Sequence, residues 1–164
     1  MKGLVWLRSD LRIDDNPALD AAIKKCDEVV ALYIFSQSQW EIHSESNVKH
    51  EFLLKNLFQL KDALEKLNIP LIAMNSDTYK TLPQDLSSFA VEKKINHVFC
   101  NHEFGINETK RDQNSAVLLN KNNIQFSSFN DQVIYEPGFL KTGQGTPFSV
   151  FTPFKRRWVE NFDM

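Results

Sequence analysis

Five short apolar segments alternate with helical patterns along this chain, and this alternation limits the folds it can form. The apolar segments are residues 4–7, 28–35, 71–74, 97–100 and 124–126. Short segments that are apolar throughout are typical of strands buried on both faces. Strands that alternate with helices form right-handed βαβ units. We therefore expect an α/β fold: a Rossmann-like, open five-stranded parallel sheet flanked by helices on both faces.

The helical patterns lie between the predicted strands. They cover about residues 16–25, 48–67, 86–94 and 107–120. Asn16 is a good cap for the first helix, and Pro17 suits its first position because its φ angle is already helical. The second pattern has the apolar stripe of an amphipathic helix. Residues 36–46 read as a loop.

Composition narrows the class of protein. The chain has 164 residues, enough for one domain with its own core, and is 42% hydrophobic and 24% charged. A net charge of −2 lacks the basic footprint of a stand-alone nucleic-acid binder. No apolar run is long enough to span a bilayer, and the start of the chain does not resemble a signal peptide. We expect a cytoplasmic protein with no membrane partner.

Several kinds of chemistry are not supported by any motif. Cys26 and Cys100 stand far apart without CxxC or His-rich spacing, which favours neither a metal site nor a disulfide framework. No GxGxxG opens the first helix, and GxxxxGK[ST] and GxSxG are missing from the sequence. This argues against an ordinary Rossmann dehydrogenase, an NTPase and a nucleophilic hydrolase.

Polar side chains follow three of the predicted strands. Arg8, Asp10 and Arg12 come after the first strand, and loops 36–46 and 101–108 follow the second and fourth. The carboxyl ends of parallel strands meet at one edge of the sheet, where ligands and partner surfaces bind in open α/β folds. The charged turn is interpreted either as a contact network with a second domain or as local stabilisation of the turn.

The two loops contain an indole, an imidazole, an amide and a carboxylate: Trp40, His43, Asn107 and Glu108. Such a set can hold a flat heteroaromatic molecule, with the carboxylate accepting from an amino-pyrimidine edge. Each residue also has a purely structural explanation. Glu108 complements the helix dipole and can pair with Arg111, Asn107 can cap the helix, Trp40 can pack and His43 can be an ordinary surface histidine.

Beyond residue 130 the helical periodicity gives way to closely spaced Gly and Pro, which is typical of a loop or linker. Residues 151–158 then read as the start of an aromatic and basic helix. This ending is either the boundary of a second domain or a terminal helix folded back on the sheet. We divide the chain into residues 1–130, the α/β domain, and 131–164, an interdomain linker and the start of a further domain.

Four motifs, in order, resemble the DNA photolyase and cryptochrome family. They are Val5 to Arg12 followed by Asp15-Asn16 and Ala18-Leu19, Leu32 to Ile34 with Gln39-Trp40, Asn107-Glu108 with Arg111-Asp112, and Val150 to Phe154 with Trp158. The resemblance implies an amino-terminal α/β domain whose role is to hold a light-harvesting antenna chromophore. It also implies that the catalytic FAD, the DNA-binding surface and the electron-transfer tryptophans belong to a larger helical domain that follows residues 131–164.

The resemblance implies particular site residues as well. In the folate-using branch the antenna is methenyltetrahydrofolate, and the matching positions are His43, Asn107 and Glu108. Glu108 would take the pterin amino edge, Asn107 would hydrogen-bond nearby, and His43 would flank the molecule. Ser36-Gln37-Ser38 stands where the family often has Pro, and Phe148 where it often has Tyr, so a deazaflavin or FMN antenna stays open.

The resemblance predicts the antenna-binding domain of a blue-light deoxyribodipyrimidine photolyase, present as a fragment or as the product of a truncated gene. Without the helical domain we expect no catalytic residue, no activity, contact with damaged DNA through that domain alone, and a monomer. A cryptochrome-like signalling fragment, a non-binding interaction fragment and a nucleotide-binding α/β protein are the alternatives.

Overall fold

The computed structural model describes residues 1–162; Asp163 and Met164, the end of the predicted 131–164 segment, lie outside the described residues. The elements are β1 (Lys2–Leu7), α1 (Pro17–Lys25), β2 (Glu28–Phe35), α2 (Gln37–Ile42), α3 (Asn47–Glu65), β3 (Leu71–Asn75), α4 (Leu82–Glu92), β4 (His97–Asn101), α5 (Ile106–Lys121), β5 (Gln125–Phe129) and α6 (Phe151–Glu160). The five strands form one parallel sheet in the order β3-β2-β1-β4-β5. The predicted fold class is confirmed.

The central strand, β1, divides the core into two layers. Leu4 and Trp6 point into a layer shared with α4 and α5, whereas Val5 and Leu7 point into a layer shared with α1 and α3. All four side chains are at most 1% exposed, because β1 is paired on both edges and covered on both faces. Helices therefore cover both faces of the sheet, as expected.

Hydrogen bonds connect the start of α1 to the end of β4. The Asn16 side chain accepts a hydrogen bond from the backbone N–H of Leu19 at 3.1 Å, which confirms it as the cap. Asn101 donates to Asn16 at 2.8 Å and accepts from the Ala18 N–H at 3.1 Å. These bonds hold the loops after β1 and β4 together, so they fix one wall of the edge where the polar loops meet.

Two local predictions were wrong. Residues 36–46, expected to be a loop, contain the six-residue helix α2; it was missed because one and a half turns are too few to set a helical period. Helix α5 begins at Ile106 with Gly105 in the cap position, so Asn107 lies inside the first turn and does not cap the helix.

The chain forms two compact units, residues 1–131 and 132–164. Within the second unit, the Tyr135 ring stacks on Phe139 and meets Trp158 of α6 edge-on, with centroid separations of 5.3 and 5.7 Å. Among residues 1–162, no helix combines the length and the hydropathy needed to cross a membrane. The assignment of residues 131–164 to a linker and the start of a helical domain stays a prediction.

Candidate functional site

A cleft of about 230 Å³ opens at the carboxyl ends of β1 and β2, beside the loop that follows β4. The strand order reverses between β1 and β4, and in open parallel sheets ligands bind at such a switch point. Four aromatic rings line the cleft, those of Trp6, Tyr33, Trp40 and Tyr79. Burial raises the pKa of both tyrosines, so they remain neutral phenols that can donate hydrogen bonds.

Two arginines and two carboxylates, Arg8, Glu103, Arg111 and Asp112, form what we call the cleft floor. Arg8 Nη1 lies 3.1 and 3.0 Å from the two carboxylate oxygens of Asp112. Arg111 donates through Nη2 to Glu103 at 2.8 Å and through Nε to Asp112 at 2.9 Å. The side chains of both arginines are at most 7% exposed. Buried charges of this kind are stable because each cation has an anion within hydrogen-bond distance.

The two arginines of the cleft floor also pack against two aromatic rings that line the cleft. The guanidinium carbons of Arg8 and Arg111 lie 4.7 and 4.9 Å from the Trp6 ring centroid, and Arg111 lies 4.7 Å from the Tyr79 ring. Cations at this distance are attracted to the faces of aromatic rings. The arginines thereby fix the two rings as well as the two carboxylates.

Glu103 is kept ionised by its neighbours. Burial would raise the pKa of this carboxyl, but the charges of Arg8 and Arg111 and hydrogen bonds from Arg111 and Ser9 outweigh burial and hold the pKa below its usual value. Ser9 donates to the second carboxylate oxygen at 2.7 Å. Both Glu103 oxygens therefore have donors within the protein.

The charged turn after β1 forms hydrogen bonds and an ion pair with other residues of the first unit. The Arg8 N–H donates to Asp10 at 2.8 Å, and Asn101 donates to the other Asp10 oxygen at 2.6 Å. Arg12 pairs with Asp131. All these partners lie within residues 1–131, and most are distant in sequence; a further contact of the turn with a second domain stays a prediction.

Of the three predicted site residues, Glu108 lines the cleft and the other two do not. Glu108 is half-buried in the first turn of α5. His43 is exposed at the carboxyl cap of α2, and Asn107 is exposed beside Glu108. We use the name cleft rim for these three predicted site residues, of which Glu108 lines the cleft and His43 and Asn107 do not. The expected pairing of Glu108 with Arg111 is wrong, because Arg111 is taken by Glu103 and Asp112.

The Glu108 carboxylate differs from every other acid of the cleft. Glu103 is bound by Arg111, and Glu45 pairs with Lys49 at 2.8 Å. Within residues 1–162, Glu108 accepts no hydrogen bond and forms no ion pair. The Glu108 oxygens are not among the buried atoms that lack a partner, so this carboxylate is open to solvent and is an available acceptor.

Trp40 combines the two roles considered for it. Its ring stacks on His50 at 4.1 Å and meets Phe35 edge-on at 5.9 Å, and it also lines the cleft. Tyr79 and Glu103 were not predicted as part of this site. Tyr79 lies between β3 and α4, in a segment that the sequence analysis did not single out although Asp77 follows the strand there, whereas Glu103 stood within the polar loop 101–108.

A larger cavity, about 620 Å³, lies beside the edge strand β3. Its side chains include Ser38, Ser76, Asp77 and Asp85. Ser38 donates to Asp77, and Ser76 donates to Asp85 at 2.6 Å. None of the predicted site residues lines it, so the cleft is the stronger candidate site. No group of three metal-ligating side chains within residues 1–162 is placed to hold a metal ion.

Comparison with known proteins gives consistent matches along the chain. The family model for DNA photolyase matches residues 3–163. The deoxyribodipyrimidine photo-lyase of Vibrio cholerae is 36% identical over 159 residues, which are 97% of this chain and 34% of that protein. The chain thus spans about a third of the length of the curated relatives it matches.

Solved structures agree with the sequence matches. A class III photolyase from Agrobacterium tumefaciens superposes with a TM-score of 0.76 at 27% identity, covering 99% of this chain and 32% of that one. A cryptochrome from Synechocystis superposes with a TM-score of 0.82 at 21% identity, covering 98% and 33%. At that identity the cryptochrome likeness concerns the fold alone.

Proposed function

The chain belongs to the DNA photolyase family, and on that premise we propose that residues 1–130 form an antenna-binding α/β domain. In this proposal the cleft and its rim hold a light-harvesting chromophore, methenyltetrahydrofolate. Residues 131–164 lead to the helical FAD domain that acts on damaged DNA. The whole protein is then a deoxyribodipyrimidine photolyase, and this domain supplies position without bond chemistry.

The observation that carries the proposal is the unpaired Glu108 carboxylate in an aromatic cleft. A pterin presents an amino group and ring nitrogens along one edge, and a carboxylate can accept two parallel hydrogen bonds from such an edge. Trp40 and Tyr79 offer rings for a flat heterocycle. The carboxylates of the cleft floor are already bound by its arginines, which leaves Glu108 as the acceptor available to the ligand. Within residues 1–162, Arg8 Nε and Nη2 are buried without a hydrogen-bond partner.

The size of the cleft favours partial enclosure. About 230 Å³ is below the roughly 300–1,000 Å³ of pockets that enclose a whole small molecule. We therefore propose that the pterin ring enters the cleft and that the tail of the folate lies outside it. His43 and Asn107, exposed on the rim, then contact parts of the chromophore that remain outside.

In this proposal, the domain contributes to repair by holding the chromophore in a fixed position. The bound chromophore absorbs light and passes the excitation to FAD, and this transfer depends on a fixed distance and orientation. Groups held by packing and paired charges give such fixed positions. The proposed partners are accordingly the helical FAD domain and, through it, damaged DNA. Cys26 and Cys100 are free thiols, which supports a cytoplasmic location for a protein proposed to act as a monomer.

The proposal is tested by titrating the chain with methenyltetrahydrofolate and following fluorescence. Glu108→Ala removes a charged acceptor and is expected to weaken binding at least about tenfold. Glu65→Ala, an exposed acid at the end of α3, is the matched control and leaves the affinity unchanged. Equal affinity of the wild type and Glu108→Ala would remove Glu108 from the site.

The same preparation separates the alternatives. Thermal shifts are compared for methenyltetrahydrofolate, FMN, a deazaflavin, ATP and AMP. Stabilisation by the folate above all others is expected. A shift with ATP or AMP and none with the chromophores would contradict the antenna proposal in favour of a nucleotide-binding protein. A protein that responds to none of them would favour an interaction fragment.

A further inference from the structure

Gly105 occupies the cap position of α5, where the backbone does not require glycine. Its φ and ψ angles are −64° and 149°, an extended conformation open to any residue. Caps are usually Ser, Thr, Asp or Asn, because those side chains accept a hydrogen bond from the first turn. Gly105 supplies no such bond. The remaining feature of this position is the space that a side chain would take.

That space is filled by Glu108. A Cβ added to Gly105 would lie 1.9 Å from Oε2 and 2.8 Å from Cδ of Glu108, and the next nearest atom, at 3.6 Å, is Glu108 Cγ. All three atoms belong to one side chain. A Cβ at position 105 would therefore displace the Glu108 carboxylate and meet no other obstacle closer than 3.6 Å.

We propose that Gly105 is a positioning residue: its missing side chain admits the Glu108 carboxylate to the place where it lines the cleft. Helical side chains lean toward the amino end of their helix, and Glu108 does so over Gly105. No hydrogen bond or ion pair within residues 1–162 holds this carboxylate. Free space beside the helix, instead of a bonded partner, sets its position. The consequence for ligand affinity rests on the proposed function; the placement of the side chain does not.

The placement is tested without ligand. In the wild-type chain we expect nuclear Overhauser contacts between the α protons of Gly105 and the γ protons of Glu108. Crystal structures of Gly105→Ala and Gly105→Ser are expected to have the Glu108 carboxylate moved away from residue 105. A carboxylate that keeps its place in either variant, or missing contacts in the wild type, would overturn the inference.

The consequence is tested by titration with methenyltetrahydrofolate. Gly105→Ala and Gly105→Ser are each expected to weaken binding about fivefold, less than Glu108→Ala, because the carboxylate is moved and not removed. In the Glu108→Ala background neither change should alter affinity further, since residues that act through one group are not additive. Gly143→Ala is the matched glycine control, because a Cβ there meets nothing within 4 Å.

The serine variant separates positioning from capping. Serine is a better cap than glycine or alanine, so a capping role predicts that Gly105→Ser binds as well as the wild type, and that result would overturn the proposal. Losses that add to that of Glu108→Ala would overturn it too. If Glu108→Ala itself binds normally, the proposed function fails, and displacement of the carboxylate in the ligand-free variants still supports the positioning role.

Discussion

The cleft floor and the cleft rim carry similar residues in different states. On the floor, Glu103 and Asp112 accept hydrogen bonds from two buried arginines. On the rim, Glu108 lines the same cleft with no partner among the described residues, and His43 and Asn107 are exposed. Paired charges hold the fold in place, whereas an unpaired acceptor is available to a ligand. A charge at this edge of the sheet therefore does not by itself indicate a ligand contact; the unpaired state of Glu108 is what supports the proposed one.

The largest effect is expected for Arg111→Ala, which tests the structural role of the cleft floor. The change removes a cation from between Trp6 and Tyr79 and leaves Glu103 Oε2 without its arginine donor. Breaking a buried ion pair from one side costs about 3–5 kcal/mol, and we expect that loss in the free energy of unfolding, measured with urea. Arg157→Ala, exposed on α6 and paired among residues 1–162 with nearby Glu160, is the control and should stay within about 0.5 kcal/mol. A loss below 1 kcal/mol for Arg111→Ala would contradict the structural role of the floor.

His97 sharpens the comparison, because this buried ionisable group is kept neutral. It is 2% exposed on β4, where Nε2 meets the Ser127 hydroxyl at 2.8 Å and the ring stacks on Phe99 at 4.0 Å. Burial, and secondarily the charge of Lys25, lowers the pKa of His97 to about 4. The unfolded chain takes up this proton near pH 6.5. The contribution of neutral His97 to the free energy of unfolding is therefore complete above pH 6.5 and is lost as the pH falls toward 4.

Between pH 7 and pH 5 this difference in proton uptake is expected to cost the wild type about 2 kcal/mol of unfolding free energy. His97→Phe keeps a ring beside Phe99 and cannot bind a proton, so its stability should fall less over the same interval. Urea denaturation at the two pH values measures both. Parallel losses in the two proteins would exclude His97 as the source of the pH dependence.

The sequence predicted the sheet better than the site. A buried strand such as 28–35 is recognised by its continuous apolar residues. The Asn16-Pro17 helix start is also a local signal, so both could be predicted without tertiary information. The hydrogen-bond partner of Arg111 could not be predicted from the sequence. Glu108 and Glu103 are both close to Arg111 in sequence. The folded chain places Arg111 between Trp6 and Tyr79 and pairs it with Glu103, which no local pattern shows. The role of Gly105 was likewise hidden, because it depends on where a neighbouring side chain folds back.

The smallest expected effect is the most direct test of the comparison. Glu108→Gln removes a charge that has no hydrogen bond or ion pair within residues 1–162, so the free energy of unfolding should change by less than about 0.5 kcal/mol. The matched change Glu103→Gln disturbs bonds from Arg111 and Ser9 and should cost about 1–3 kcal/mol. Because the pKa of Glu103 lies below its usual value, its contribution is present above the unfolded pKa and disappears as the pH falls below it, so the gap between Glu103→Gln and the wild type should narrow in acid. Equal losses in the two variants at neutral pH would mean that floor and rim do not differ in the way their pairing indicates.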